Sequence, residues 1–126
     1  YADRVFFVGH SMGGALAQIT EVDCHEWLSP SSHAITFGGP RVFDHSVSSY
    51  SDRHLRVQVK FDPVPNLPFK FSGYKHSGSL LLLSKGRGIY SPSFWQTFIP
   101  FSFRLFGTHY LSNYINEVYA YTGRST

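Results

Sequence analysis

The stretch VFFVGHSMGGALA, residues 5–17, combines a short apolar run, a glycine-rich turn and the start of a helical pattern. Val5–Val8 is rich in β-branched and aromatic side chains, which is typical of a strand buried on both faces of a parallel sheet. After the turn, apolar residues recur at spacings of three and four, which predicts a helix that buries them on one side. The members of that pattern are Ala15, Leu16, Ile19, Val22 and Trp27.

The pentapeptide GHSMG, residues 9–13, matches the pattern G-x-S-x-G. Between a buried strand and a helix, such a pentapeptide forms a sharp turn that exposes a nucleophilic serine. The residues two before and two after the serine come close together, so we expect glycine to be required at both Gly9 and Gly13. The turn projects the Ser11 hydroxyl and leaves the Met12 amide at a helix N-terminus, where it can stabilise an oxyanion. The alternative is a glycine-rich turn with an incidental serine.

The remainder of the chain continues an α/β pattern. Strands are predicted at 34–37, 55–61 and 79–83, and an amphipathic helix at about 109–121. In the middle strand, apolar residues alternate with polar ones, which predicts one wetter face. Because the sequence shows no repeat or linker, we treat residues 1–126 as one unit with a mostly parallel sheet and flanking helices.

The composition limits the class of protein. With 42% hydrophobic and 15% charged residues, the chain is too apolar for a disordered tail. The net charge of +3 is scattered without a basic run, which argues against nucleic acid as a partner. Cys24 is the single cysteine, which excludes an intramolecular disulfide, and no apolar run reaches the ~20 residues of a membrane-spanning helix. The Cys24-His25 pair has no second pair at ligand spacing, so we predict no metal and no cofactor.

A nucleophilic serine needs a base, and the base needs an orienting carboxylate. In α/β proteins with this serine turn, the chain order is serine, then acid, then histidine. Asp62 is favoured as the acid because it follows the C-terminal end of a predicted strand, where open α/β sheets collect their functional groups. Asp44 and Asp52 lie in polar loops without such a placement. A plain turn carboxylate is the alternative for Asp62.

Two of the seven histidines remain candidates for the base. His10 is expected to point away from Ser11, and four others precede Asp62 in the chain. His109 opens the last predicted helix, after all the strands, and is favoured. His76 precedes a strand and is the alternative, although it can instead hold that region together through hydrogen bonds.

An aromatic segment precedes His109. Residues 94–106 contain eight large apolar side chains, and Pro100 and Arg104 argue against a membrane span. We expect this segment to line an acyl cleft or to insert shallowly at a lipid interface, with Phe98 and Phe106 as candidate substrate-binding residues. Ordinary core packing under the sheet is the alternative.

Five blocks of the sequence together resemble the class 3 lipases, the α/β-hydrolase family that includes the fungal triacylglycerol lipases. The blocks are GHSMGGALA (9–17), ITFGGPRV (35–42), DPVPNLP (62–68), HSG (76–78) and HYLSNY (109–114). The resemblance implies a serine hydrolase of carboxylic esters in acylglycerols or related lipids, acting through an acyl-serine intermediate. It implies Ser11 as the nucleophile, Asp62 as the acid and His109 as the base, and it places His76 at a position that is not the base.

The sequence departs from the family pattern at its N-terminus. In the family, several strands, the lid and the second oxyanion donor precede the serine turn, whereas this sequence begins at the strand of the turn itself. We therefore expect a partial α/β-hydrolase fold, its C-terminal catalytic portion, in which Met12 supplies the one assignable oxyanion amide. We expect the longer parent to be the enzyme and residues 1–126 alone to be weak, insoluble or inactive. The alternatives are a truncated non-catalytic lipase-like module, and an esterase or phospholipase with a different lipid substrate.

Overall fold

The computed structural model describes residues 3–28, 31–44, 51–93 and 107–124. Phe98 and Phe106, the candidate substrate-binding residues, lie outside these ranges. No helix within the described ranges is long and apolar enough to cross a membrane. The strands and α-helices of the described residues are β1 (Val5–His10), α1 (Met12–Leu28), β2 (Ser32–Phe37), β3 (His54–Val59), β4 (Ser79–Ser84), β5 (Arg87–Tyr90) and α2 (Leu111–Thr122).

The strands form one sheet in the order β1-β2-β3-β4-β5. Strands β1 to β4 are parallel, and β5 is antiparallel to β4. The carboxyl ends of the parallel strands therefore meet at one edge, which we call the carboxyl edge. Ser11 follows β1, Gly38 follows β2 and Asp62 follows β3, so the topology brings all three to this edge. This mostly parallel sheet with flanking helices confirms the predicted α/β class.

The two helices cover opposite faces of the sheet. A Cβ on Gly14 of α1 would lie 3.3 Å from the Cβ of Thr36, whereas the ring of Tyr114 in α2 meets Phe37 edge-on, with centroids 6.3 Å apart. Thr36 and Phe37 are neighbours in β2, so their side chains point to opposite faces. The buried core under α2 consists of Val57, Val59, Leu81, Leu83 and Tyr114.

The prediction that Val5–Val8 is buried on both faces is wrong. Phe6 and Val8 are 51% and 60% exposed. Their side chains point to the sheet face that carries α2, but α2 packs against β3, β4 and β5, and β1 stands at the far edge of the described sheet. The apolar run thus specified a strand without specifying what covers it.

The buried side of α1 also differs from the predicted one. Leu16 and Ile19 are exposed and Ala15 and Val22 only half-buried, so these members of the apolar pattern do not form the buried side of the helix. The reason is close packing at Gly14, where an added Cβ would lie 3.3 Å from the Cα of Gly39 and therefore very near the sheet. Among residues 12–25 of α1, the buried ones are Gly14, Ala17, Gln18 and Glu21. The side chain of Trp27 lies outside the described residues.

Strand β3 ends at Val59, before the predicted position 61, and neither of its faces is solvent-exposed. Phe61 has a φ of 73° and is exposed, so the chain leaves the strand just before Asp62. The predicted wetter face is wrong, because Gln58 is buried and Arg56 is half-buried. The predicted fourth strand and last helix are confirmed by β4 and α2, and β5 is an element that the sequence analysis did not predict.

Candidate active site

Ser11 lies in the turn between β1 and α1 with a φ of 56°, in the left-handed region that residues other than glycine rarely adopt. The Ser11 N–H donates to the Phe37 carbonyl at 3.0 Å. The N–H groups of Gly14 and Ala15 donate to the Ser11 carbonyl at 3.0 and 3.2 Å. Backbone strain of this kind concentrates at functional sites, and here the surrounding hydrogen bonds maintain it.

The expected glycine requirement holds at Gly9 and is wrong at Gly13. A Cβ on Gly9 would lie 2.1 Å from the Gly13 carbonyl oxygen, which no rearrangement short of a backbone shift relieves. A Cβ on Gly13 would meet no heavy atom within 4 Å in the part of the chain that the structure describes. The backbone of Gly13, and not its side-chain position, occupies the space beside Gly9.

Ser11, His109 and Asp62 form one hydrogen-bonded row at the carboxyl edge. The Nε2 atom of His109 lies 2.7 Å from the Ser11 Oγ, and its Nδ1 atom lies 2.8 Å from the Asp62 Oδ2. Because an ionised carboxylate only accepts hydrogen bonds, the network assigns the imidazole proton to Nδ1. Nε2 is then free to accept the hydrogen of the Ser11 hydroxyl, which is the arrangement that a general base requires.

The Asp62 carboxylate is completely buried but well supplied with donors. The Val64 N–H donates to Oδ1 at 2.9 Å, and the Tyr114 hydroxyl donates to Oδ2 at 2.5 Å, beside the bond from His109. Burial, together with the negative charge of Asp62, raises the pKa of Tyr114 above its ordinary value. The hydroxyl therefore stays protonated and remains a donor to the carboxylate.

Gly38 and Tyr114 belong to this site, although the sequence analysis gave neither residue a role in it. Gly38 has a φ of 59°, and a Cβ there would lie 2.8 Å from both the Asp62 Oδ2 and the Tyr114 hydroxyl oxygen. The available signal for Gly38 was a glycine directly after a strand that ends at the carboxyl edge. For Tyr114, the signal was a hydroxyl on the apolar face of the last helix.

His10 contacts the histidine of the row and not its serine. Its Nε2–H donates to the His109 carbonyl at 2.8 Å, and the two rings stack with centroids 4.7 Å apart. The ring of Tyr114 meets the His10 ring edge-on, with centroids 5.4 Å apart. His10 therefore helps to fix both the backbone and the ring plane of His109.

Arg41 fixes the loop that carries Asp62. Its guanidinium donates to the carbonyls of Asn66 and Pro68, the latter at 2.7 Å. Its backbone N–H donates to the Leu67 carbonyl, also at 2.7 Å. Three consecutive carbonyls of the loop are thus held by one residue that follows β2.

His76 holds the same loop and takes no part in the row. Its Nε2–H donates to the Pro65 carbonyl at 2.6 Å. Burial and the positive charge of Arg56 lower the pKa of His76 to about 2, so the ring is neutral at ordinary pH. The structure therefore gives His76 the hydrogen-bonding role that was its predicted alternative.

Residues 2–72 match the family model described as lipase (class 3). The chain belongs to the class 3 lipase family. It is 30% identical over 93 residues to the secreted mono- and diacylglycerol lipase A of Penicillium cyclopium, a match that covers 71% of this chain and 26% of that protein. It is 36% identical over 95 residues to phospholipase A1-II 1 of Oryza sativa subsp. indica, with coverages of 68% and 23%.

The fold is shared with solved structures of lipases. A mutant form of MDLA from Penicillium cyclopium superimposes with a TM-score of 0.73 at 24% identity, over 84% of this chain and 45% of that one. These matches confirm the resemblance to class 3 lipases and the α/β-hydrolase fold. The chain spans about a quarter of the length of the two curated relatives above.

Three further residues of this class 3 lipase chain were weighed from the sequence: Met12, Asp44 and Asp52. Met12 is the first residue of α1, so helix geometry offers its N–H no carbonyl partner. Asp52 precedes β3 and therefore lies at the opposite edge of the sheet from Ser11, and Asp44 is exposed. Among the described residues, no three His, Cys, Asp or Glu side chains are grouped to hold a metal ion.

Proposed function

We propose that this class 3 lipase chain carries the catalytic groups of a hydrolase that cleaves carboxylic esters of lipids. Ser11 is the nucleophile, His109 the general base and Asp62 the carboxylate that orients it, while the Met12 N–H donates to the oxyanion. The observation that supports this assignment is the row from Ser11 Oγ through both ring nitrogens of His109 to Asp62 Oδ2, at 2.7 and 2.8 Å.

In the acylation half-reaction, the Ser11 oxygen bonds to the ester carbonyl carbon while its proton passes to the His109 Nε2. The buried charge of Asp62 stabilises the imidazolium that forms, and the Met12 N–H stabilises the oxyanion. Collapse of the tetrahedral intermediate breaks the bond to the alkoxy oxygen. That oxygen takes the proton from His109 and leaves as an alcohol, so that an acyl-serine remains.

In the deacylation half-reaction, a water molecule attacks the acyl carbon and gives a proton to the same His109 Nε2. Collapse breaks the bond between the acyl carbon and the Ser11 oxygen, which takes the proton back from His109. A carboxylic acid leaves, and the sum is one ester and one water converted to one alcohol and one acid.

We propose acyl esters of glycerol as the substrate class. The Penicillium relative is named as a mono- and diacylglycerol lipase, and the rice relative as a phospholipase A1. Acylglycerols are the first candidate, and the rice relative supports phospholipids as the second. Phe98 and Phe106 remain predicted contacts of the acyl chain.

A fluorophosphonate probe tests the assignment in the full-length protein, because it reacts with serines that a neighbouring base activates. We expect labelling of Ser11, no labelling of the Ser11→Ala variant, and normal labelling of Ser112→Ala, an exposed serine of α2. Undiminished labelling of Ser11→Ala contradicts the proposal. The absence of labelling in the protein without substitutions favours a non-catalytic lipase-like module.

The release of fatty acid distinguishes the two substrate candidates. The full-length protein is given diacylglycerol or phosphatidylcholine in the same detergent micelles, with Ser11→Ala as the blank. We expect faster release from diacylglycerol. Faster release from phosphatidylcholine favours the phospholipase candidate.

A further inference from the structure

Two phenylalanine rings are presented to water in the loop between β3 and β4. Phe71 is 90% exposed and Phe69 is 43% exposed, and their rings stack with centroids 5.4 Å apart. Tyr74, three residues further on, is also exposed. We call residues 69–75, with the sequence FKFSGYK, the aromatic-lysine turn.

Hydrogen bonds hold the aromatic-lysine turn in one shape. The backbone N–H and the hydroxyl of Ser72 both donate to the Phe69 carbonyl, at 2.9 and 2.6 Å. Gly73 takes the left-handed conformation with a φ of 88°, and its N–H donates to the Lys70 carbonyl at 3.2 Å. The Lys75 N–H donates to the Phe43 carbonyl at 2.7 Å, which fastens the end of the turn to the body of the protein. The exposed rings therefore belong to an ordered surface.

The charged side chains within the aromatic-lysine turn have one sign. Lys70 and Lys75 are both exposed and flank Phe71 and Tyr74 in the sequence. Residues 63–78 contain no Asp or Glu, and the carboxylate of Asp62 before them is buried. The aromatic-lysine turn thus combines exposed apolar rings with exposed cationic side chains.

We propose that the aromatic-lysine turn is a docking site for a membrane surface that contains anionic phospholipid. The choice of a lipid as the partner rests on the proposed function, and the site lies on a different part of the chain from residues 94–106. Aromatic rings that enter the boundary between headgroups and acyl chains, beside lysines that meet phosphate groups, are the usual means of such binding. The complementary charge favours an anionic surface over a neutral one.

Flotation of the full-length protein with vesicles tests this proposal. One set of vesicles is pure phosphatidylcholine, and the other contains about a third phosphatidylserine. We expect the protein to float with the anionic vesicles, and 0.5 M salt to release it, because the attraction between lysines and lipid headgroups is screened. Equal binding to both kinds of vesicle, or no binding to either, overturns the proposal.

Variants locate the binding surface. We expect Phe71→Ser to weaken binding to the anionic vesicles about tenfold, and Lys70→Gln with Lys75→Gln about twentyfold. Lys85→Gln and Tyr90→Ser are the matched controls, since both residues are exposed but lie at β5 and the turn before it, and we expect them to bind as the parent does. Undiminished binding by the Phe71 and lysine variants overturns the proposal. If the Phe71 and lysine variants bind vesicles as before but self-associate less, the turn is a contact between protein chains, and the proposal is again overturned.

The Ser11→Ala variant separates this proposal from the proposed function. We expect it to float with anionic vesicles as the parent does, because docking requires no chemistry at Ser11. Loss of flotation in Ser11→Ala shows that the vesicle signal came from turnover, which overturns the docking site. Loss of fluorophosphonate labelling in the parent, with flotation retained, contradicts the proposed function alone.

Discussion

Two carboxylates are buried at opposite edges of the sheet, and their hydrogen-bond donors differ in charge. Glu21 is 1% exposed and accepts from the Ser32 hydroxyl and from the Arg53 guanidinium, each at 3.0 Å. Asp62 is 0% exposed and accepts from a backbone N–H, the Tyr114 hydroxyl and the His109 imidazole. Glu21 has a permanent cation beside it, whereas the donors to Asp62 are neutral groups of which one, the imidazole, can become charged.

This difference distinguishes a structural carboxylate from one suited to catalysis. An arginine neutralises its partner at all times, so the pair serves to join α1 to the residue before β3. A buried carboxylate held by neutral donors keeps its charge available for an imidazolium that exists only during the reaction. Four substitutions and a pH series test the contrast.

Asp62→Asn gives the largest expected effect. The amide keeps the shape of the side chain but removes the charge and favours the wrong tautomer of His109, so we expect kcat to fall by about 10⁴-fold. The measurement is hydrolysis of a soluble ester by the full-length protein. A fall of less than tenfold, in a variant whose circular dichroism is unchanged, contradicts the role of Asp62.

Gly38→Ala comes next. The new Cβ would lie 2.8 Å from the Asp62 Oδ2 and from the Tyr114 hydroxyl oxygen, at a φ of 59° that disfavours alanine. Since a displacement of about 1 Å at a catalytic group costs about a hundredfold, we expect kcat/KM for a soluble ester to fall at least that much. Gly73→Ala is the matched control, because it also has a positive φ but no atom within 4 Å of the added Cβ among the described residues. Equal losses in the two variants would assign the effect to backbone strain alone.

Glu21→Gln is expected to lower the stability of the protein and to leave its activity nearly unchanged. The amide keeps an acceptor oxygen for Arg53 and Ser32 but removes the negative charge beside a half-buried guanidinium, and we expect the free energy of unfolding to fall by about 1–3 kcal/mol. Activity per folded molecule should stay within about twofold, because Glu21 lies at the other edge of the sheet from Ser11. Denaturant titration and soluble-ester assays measure the two quantities, and a large loss of activity without a loss of stability is the contrary result.

The neutral histidines have the smallest effect at neutral pH, where they are uncharged in both states, and their effect appears as the pH falls. Burial lowers the pKa of His76 to about 2 and that of His54 to about 3, whereas both have ordinary values near 6.5 in the unfolded chain. The unfolded state therefore binds more protons below pH 6.5, and stability falls with the pH by at most about 1.4 kcal/mol per pH unit for each histidine. His76→Gln keeps a donor for the Pro65 carbonyl and removes one titrating group, so denaturant titrations from pH 7 to 4 should show a shallower fall. If the free energy of unfolding falls with pH as steeply in His76→Gln as in the unsubstituted protein, the result contradicts the burial of a neutral His76.

Local patterns in the sequence predicted the four parallel strands and the serine turn, and they favoured the three residues of the row while leaving His76 open as an alternative base. The α1 prediction failed because apolar spacing identifies an amphipathic helix but not which side lies against the sheet. Gly14 determines that side, and its effect depends on Gly39, which is distant in the sequence. The burial of Phe6 and Val8 was mispredicted because a strand pattern does not show which neighbours cover it.

The roles of Gly38 and Tyr114 depend on a meeting of chain segments that no local pattern contains. A tyrosine at an apolar helix position is compatible with ordinary packing, and only the arrival of Asp62 beside its hydroxyl gives it a polar role. Similarly, His10 was rejected as a base on the geometry of the turn. That reasoning did not foresee its stack on His109, which lies 99 residues away.

The most direct test is to trap the acyl intermediate. The full-length protein is mixed with a slowly hydrolysed ester, quenched in acid and mapped by peptide mass spectrometry. We predict one acyl group on the peptide that contains Ser11, abundant in the parent and in Glu21→Gln and nearly absent in Asp62→Asn. An acyl group on another residue, or equal acylation of Ser11 in Asp62→Asn, contradicts the account.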